Sequence, residues 1–99
     1  MSYKISYTAE ARNDVKRLLA FLVKQDLAAA HHARAAIQQA ATLLQTFPFS
    51  CRKASEENPF LRELLIPFGS AGYVALFEIE DSGTVTILAV RHQREEDFH

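Results

Sequence analysis

The spacing of apolar residues changes at Pro48, and that change limits the folds open to the chain more than any other feature. Upstream, Val15, Leu18, Leu19 and Leu22 recur at the i, i+3, i+4, i+7 interval of one helix face. Thr8 is placed to cap that helix and Glu10 to favour its dipole, while Arg12, Lys16 and Arg17 fall toward water. Asp26 interrupts the pattern at a position suited to a second N-cap. A new apolar series then follows at Leu27, Ala30, Ala33, Ile37, Ala40 and Leu44, until Phe47-Pro48 stops it, because proline lacks the N–H that an interior turn needs. Residues 9 to 46 therefore read as a helical hairpin.

Downstream the period is two. FPFSCRKASEENP has neither period and reads as a loop. Leu61 to Ile66 is closed so soon by Pro67 and Gly69 that a strand is favoured over a helical turn. Tyr73 to Glu80 alternates, with Tyr73, Ala75, Phe77 and Ile79 on one face and Val74, Leu76, Glu78 and Glu80 on the other. Asp81-Ser82-Gly83 supplies a tight turn, and TVTILAVRH resumes as a strand that is apolar on both sides and thus central. Strict alternation puts Val85, Ile87, Ala89 and Arg91 on one face of it, and Leu88, Val90 and His92 on the other. Lys4 to Thr8, rich in β-branched and aromatic residues, reads as a first strand.

The order is then β-α-α-β-β-β, an α+β fold in which the helical hairpin packs on a small antiparallel or mixed sheet. The 99 residues suffice for one core, so residues 1–99 are expected to form a single domain. One cysteine makes no internal disulfide, and no Cys and His set has zinc spacing, so no metal or other cofactor is expected. A hairpin covers only one face of a sheet. Leu76, Leu88 and Val90 would be left on the other, and an apolar patch there implies a binding partner.

Charge is balanced overall at −1 but polarised along the chain. Residues 1 to 25 carry five basic groups and two acidic ones; residues 71 to 99 carry six acidic groups against Arg91 and Arg94. Near-neutrality argues against broad nucleic-acid binding, which draws its affinity from neutralised phosphates. No apolar run reaches the roughly 20 residues that span a bilayer, and MSYKISY lacks a secretory core, so a cytoplasmic protein without membrane association is expected.

Few residues suggest chemistry. Nucleotide-binding glycine loops, GxSxG and HExxH are all missing from the sequence. His31 and His32 are adjacent on a helix and do not share a face, which suits a solvated pair better than metal ligands. Cys51 lies beside Arg52 and Lys53, which favour a thiolate, but no base is placed to use it. The suggestive group is Arg52, Lys53, Arg62, Arg91, His92 and Arg94. If their strands pair, these cations converge at one end of the sheet, where they would hold a phosphate, an RNA backbone or an acidic protein surface. Equally, Arg62 and Arg91 would pair with Glu63, Glu78 or Glu80 and brace the sheet edge.

Several of these pieces, taken in order, resemble the RelE/ParE superfamily of small bacterial toxins from type II toxin–antitoxin pairs. They are the YKISYTAEA opening, the hairpin ending in Phe47-Pro48, the arginine within LRELLI, the strand GYVALFEIE and the closing ILAVRHQREEDF. The resemblance implies a cognate antitoxin bound along a hydrophobic groove, with operator DNA engaged only indirectly through that antitoxin. It also implies one of two actions. RelE-like members cleave messenger RNA on the ribosome with basic residues and often a C-terminal tyrosine; ParE-like members inhibit DNA gyrase and need no nuclease site.

For the nuclease, the matching positions are Arg52, Lys53, Arg62 and Arg91, with His92 as a general base. Yet the C-terminal aromatic is Phe98, which has no hydroxyl to exchange a proton, and Glu95, Glu96 and Asp97 repel a phosphate. The ParE branch is therefore favoured: no catalytic residues, with Arg62, Arg91, His92, Arg94 and Phe98 as candidate contacts to gyrase. The alternatives are the ribosome-dependent endonuclease and a non-toxic module that only binds antitoxin. Arg12, Lys16 and Arg17, with Leu76, Leu88 and Val90, are the candidate antitoxin contacts.

Overall fold

A computed structural model describes residues 2–95. Strand β1 (Lys4–Tyr7) leads into helix α1 (Ala9–Val23), and helix α2 (Leu27–Leu43) returns antiparallel to it. A turn of 3-10 helix (Pro48–Ser50) follows, then β2 (Arg52–Lys53), β3 (Leu61–Phe68), β4 (Ala71–Ile79) and β5 (Thr84–His92). The strands form one mixed sheet in the order β1-β5-β4-β3-β2. It is antiparallel from β2 to β5, and β1 joins the far side of β5 in parallel. Among the described residues no helix is long and apolar enough to cross a membrane.

Both helix starts form as their sequences dictate. Thr8 Oγ1 accepts from the Ala11 N–H at 3.0 Å, and Asp26 Oδ1 accepts from Ala28 and Ala29 N–H at 3.0 and 3.3 Å. The packed face of α1 is Val15, Leu18, Leu19 and Leu22; that of α2 is Ala30, Ala33, Ile37 and Ala40, with Leu44 just beyond its end. Leu27, expected to open the second buried series, is exposed instead, because it sits at the first turn of α2, at the tip of the hairpin. The alanines let the helices approach closely over a core of Leu64, Ile66, Tyr73, Ala75, Phe77, Ile79, Val85 and Ile87.

Loop and strand limits differ from the sequence reading in three places. Two loop residues, Arg52 and Lys53, form an edge strand against Arg62 and Glu63. Strand β3 runs on through Pro67 to Phe68, which proline permits because β2 covers only the first part of that edge. The tight turn after β4 needs Gly83, whose φ of 83° is left-handed, and Gly69 at φ 63° does the same between β3 and β4.

The largest departure lies in β5. Leu76 pairs with Ala89 and Phe77 with Ile87, so Leu88 is an extra residue, a β-bulge. The bulge resets the alternation. Val90, expected on the open face, is 2% exposed and packs into the core beneath the helices with Val85 and Ile87. Arg91 moves the opposite way, to the open face, where it shares a rank with Val74 and Leu65. Leu76 and Leu88 stay off the helix-covered core and half-buried, as read from sequence.

Candidate protein-docking site

Because β1 stops at Tyr7, the outer edge of β5 beyond Ile87 has no strand beside it, and α1 supplies the missing partners. Thr8 Oγ1 donates to the Leu88 carbonyl at 3.1 Å, and Asp14 Oδ2 accepts from the Val90 N–H at 2.9 Å. The helix is thus bonded to the strand at the bulge. Farther along, α1 and the end of β5 diverge from the β3–β4 turn and leave a groove of about 690 Å³. Leu18, Phe21 and Leu22 form one wall, Phe68 to Ala71 another, and Tyr73 and His92 the floor, with Arg17, Arg94 and Glu95 at the rim. Phe21 is 62% exposed there.

Charge at this rim is paired but accessible. Arg17 holds Glu95 through two bonds of 3.1 and 3.4 Å, with Asp14 a further 3.9 Å from the guanidinium. Partial burial pushes the Glu95 carboxyl up, but the Arg17 hydrogen bond and charge, with smaller help from His92, outweigh it and hold the group below its usual range. His92 Nδ1 accepts from the Arg94 N–H at 3.1 Å, and its ring meets the Tyr73 ring edge-on at 5.8 Å. Tyr73 also stacks on Phe68 at 5.9 Å.

Tyr73 is a phenol that sequence reading placed only in the core. It is 2% exposed, and burial raises its pKa, so it is packed as a floor rather than extended as an acid or base. Phe21 and Phe68 were the unrecognised residues of this groove. A large aromatic at Phe21, outside the buried series Val15, Leu18, Leu19 and Leu22, is the signal available in the sequence; Phe68 has none, since its approach to α1 is tertiary.

The six candidate cations do not converge. Arg62 pairs with Phe77 on β4 and Arg91 with Val74, three residues apart and of opposite parity. They therefore lie on opposite faces of the sheet and about 10 Å apart along the strands. Arg62 is held by main-chain carbonyls, donating to Pro59 at 2.7 Å, Cys51 at 2.9 Å and Phe49 at 3.2 Å, and it lies 5.4 Å from the Phe49 ring centroid. Arg91 donates to the carbonyls of Glu95, His92 and Gln93, the closest at 2.9 Å, and so fastens the turn after β5. Arg52 donates to Glu63 at 2.9 Å, and Lys53 is exposed beside it. Only His92 and Arg94 reach the groove; Phe98 lies outside the described residues.

The remaining candidates divide between two surfaces. Arg12, Lys16 and Arg17 are exposed on α1, whereas Leu76 and Leu88 belong to the opposite face of the sheet. Burial drives the Cys51 thiol pKa up despite Arg62 and Ser50, the reverse of what a nucleophile needs. No group of three or more metal-ligating side chains occurs among the described residues.

A small helical hairpin on a five-stranded mixed sheet is an α+β architecture that this chain shares with chains of solved toxin–antitoxin complexes. The model of the ParE toxin of type II toxin–antitoxin systems, parDE, matches residues 5–97, and the chain belongs to that family. Among solved structures it is similar to a chain of the chromosomal ParDE toxin–antitoxin system of P. aeruginosa, with a TM-score of 0.73 and 19% identity, covering 92% of this chain and 96% of that one. It is also similar to a chain of the RelBE2 toxin–antitoxin complex of Mycobacterium tuberculosis, with a TM-score of 0.64 and 22% identity, covering 96% and 95%. No curated protein matches it. The chain is a toxin of a type II toxin–antitoxin system within the RelE/ParE superfamily.

Proposed function

We propose that this toxin acts on DNA gyrase by contact and makes or breaks no bond itself. One observation carries the reading: the arginines that a ribonuclease would gather around a phosphate are divided between two faces and bound to main-chain carbonyls. Transition-state stabilisation of a phosphorane needs several donors aimed at one point, already in place before reaction. Of the candidate cations only Arg94 and His92 share the groove, beside a carboxylate that opposes an incoming phosphate. The family model and the ParDE neighbour support the same branch.

In this reading His92 and Arg94 contact the gyrase complex, while Arg62 and Arg91 hold the surrounding backbone in shape. A cognate antitoxin neutralises the toxin by covering the groove and the exposed cations of α1. Its apolar side chains would meet Phe21 and Phe68, and an acidic side chain would compete with Glu95 for Arg17.

The test uses two reactions side by side. Purified toxin is expected to block supercoiling by gyrase and to leave messenger RNA intact in a reconstituted translation system, with antitoxin restoring supercoiling. New 3′ ends in ribosome-bound transcripts, with supercoiling unaffected, would reverse the assignment; no effect in either reaction would leave only the antitoxin-binding module.

A further inference from the structure

At the other end of the sheet, the 3-10 turn, the start of β3 and the β4–β5 turn enclose a second cleft of about 670 Å³. Phe49 and Phe60 form its apolar wall, 47% and 43% exposed, with their rings edge-to-face at 6.1 Å. Phe47, 61% exposed, follows α2 at the same end. Exposed aromatics this dense have a cost in water that isolated surface phenylalanines do not, and such patches mark contact surfaces. Glu80 and Asp81 line the facing wall, and no cationic side chain lines the cleft among the described residues.

The wall is built to hold its shape. Arg62 ties the Phe49, Cys51 and Pro59 carbonyls together behind the Phe49 ring. Asn58 accepts from the Phe60 N–H at 3.0 Å and donates to Glu78 at 3.4 Å, while the Phe60 carbonyl accepts from the Ile79 N–H at 2.9 Å. Glu80 accepts from the Thr86 hydroxyl. Two aromatic anchors are therefore positioned before any partner arrives, which lowers the ordering cost of binding.

We propose that this cleft is a second protein-docking surface, remote from the α1–β5 groove, and that its partner is an apolar protein segment flanked by basic side chains. Charge complementarity selects that chemistry: the acidic wall repels nucleic acid and acidic peptides and attracts lysine or arginine beside an apolar insert. The inference stands whichever enzyme the toxin attacks, because it rests on a surface that the groove does not share.

The probes are two synthetic amphipathic peptides with the same leucine pattern, one carrying lysines and the other glutamates. Each is titrated into the full-length protein by calorimetry and by amide chemical shifts. The lysine peptide is expected to bind and to shift amides of Phe49, Phe60 and the 80–83 turn, while the glutamate peptide does not. A double reversal, Glu80→Lys with Asp81→Lys, is expected to weaken the lysine peptide by about tenfold and to admit the glutamate peptide. That gain distinguishes altered recognition from a damaged fold, and Phe21→Ala in the groove should change neither titration. Absence of lysine-peptide binding, equal binding to the charge-reversed protein, or shifts confined to the α1–β5 groove would each overturn the proposal.

Discussion

Arg62, at one end of the sheet, and Arg17, beside the groove at the other, are used in opposite ways. Around Arg62 the guanidinium is bonded to three carbonyls from two separate stretches of chain, an arrangement that no incoming group can replace without loosening the backbone. At the groove, Arg17 is joined to Glu95 by a surface carboxylate pair, and a carboxylate from a partner would serve equally well. The chemistry of the side chain is identical in both places. What differs is whether its acceptors are fixed main chain or a mobile side chain, and that decides whether the residue shapes a surface or exchanges partners on it.

The contrast is broken most severely by deletion of Leu88 and Ala89 together. With the bulged residue and its paired neighbour both gone, Val90 would follow Ile87 on the open face and Arg91 would turn into the core, so a loss of more than about 4 kcal/mol is expected, read as absence of a cooperative denaturation transition. Arg62→Ala is expected to cost about 3 kcal/mol in chemical denaturation, because three carbonyls lose a charged donor together. If instead the variant kept full stability and lost only toxicity, Arg62 would be a target contact. Asp14→Ala removes the acceptor of the part-buried Val90 N–H and is expected to cost about 2 kcal/mol, with accelerated hydrogen exchange at Val90 as the local sign.

The smallest effect belongs to the exchangeable pair. Glu95 is held below the usual carboxylate range in the folded state, so as pH falls through that range the unfolded chain takes up the proton first. The stabilisation is present at neutral pH and is lost on acidification. Because both partners are substantially exposed, it amounts to less than about 1 kcal/mol. Comparing the native protein with Glu95→Gln, the stability difference should vanish at acid pH. A difference that persists there would mean that Glu95 acts through packing rather than charge.

Local signals in the chain were read reliably where the physics is local. The caps at Thr8 and Asp26, the turn glycine Gly83 and the alternation of β4 each involve neighbours a few residues apart. The phase of β5 was not legible past Ile87, since TVTILAVRH is apolar on both sides and a one-residue bulge leaves no trace in such a pattern. That single residue moved Val90 from the candidate interface to the core. The isolation of Arg62 from Arg91 was hidden for the same reason, compounded by a loop whose return to β3 through Arg52 and Lys53 is only two residues long. The groove was half legible: exposed Phe21 lay on a helix already drawn, but the approach of Phe68 depends on how far β3 runs through Pro67.

Strand β1 has one neighbour in the sheet, and that neighbour is β5, the last strand in chain order among the described residues. Nothing between them in the chain pairs with β1, so β1 must wait for β5 before the native sheet closes. A nascent chain still lacking β5 is also without Val85, Ile87 and Val90 from its core and without the floor of the groove at His92. A chain that stops short of Thr84 therefore offers a partner no groove to dock in, however complete its helical hairpin.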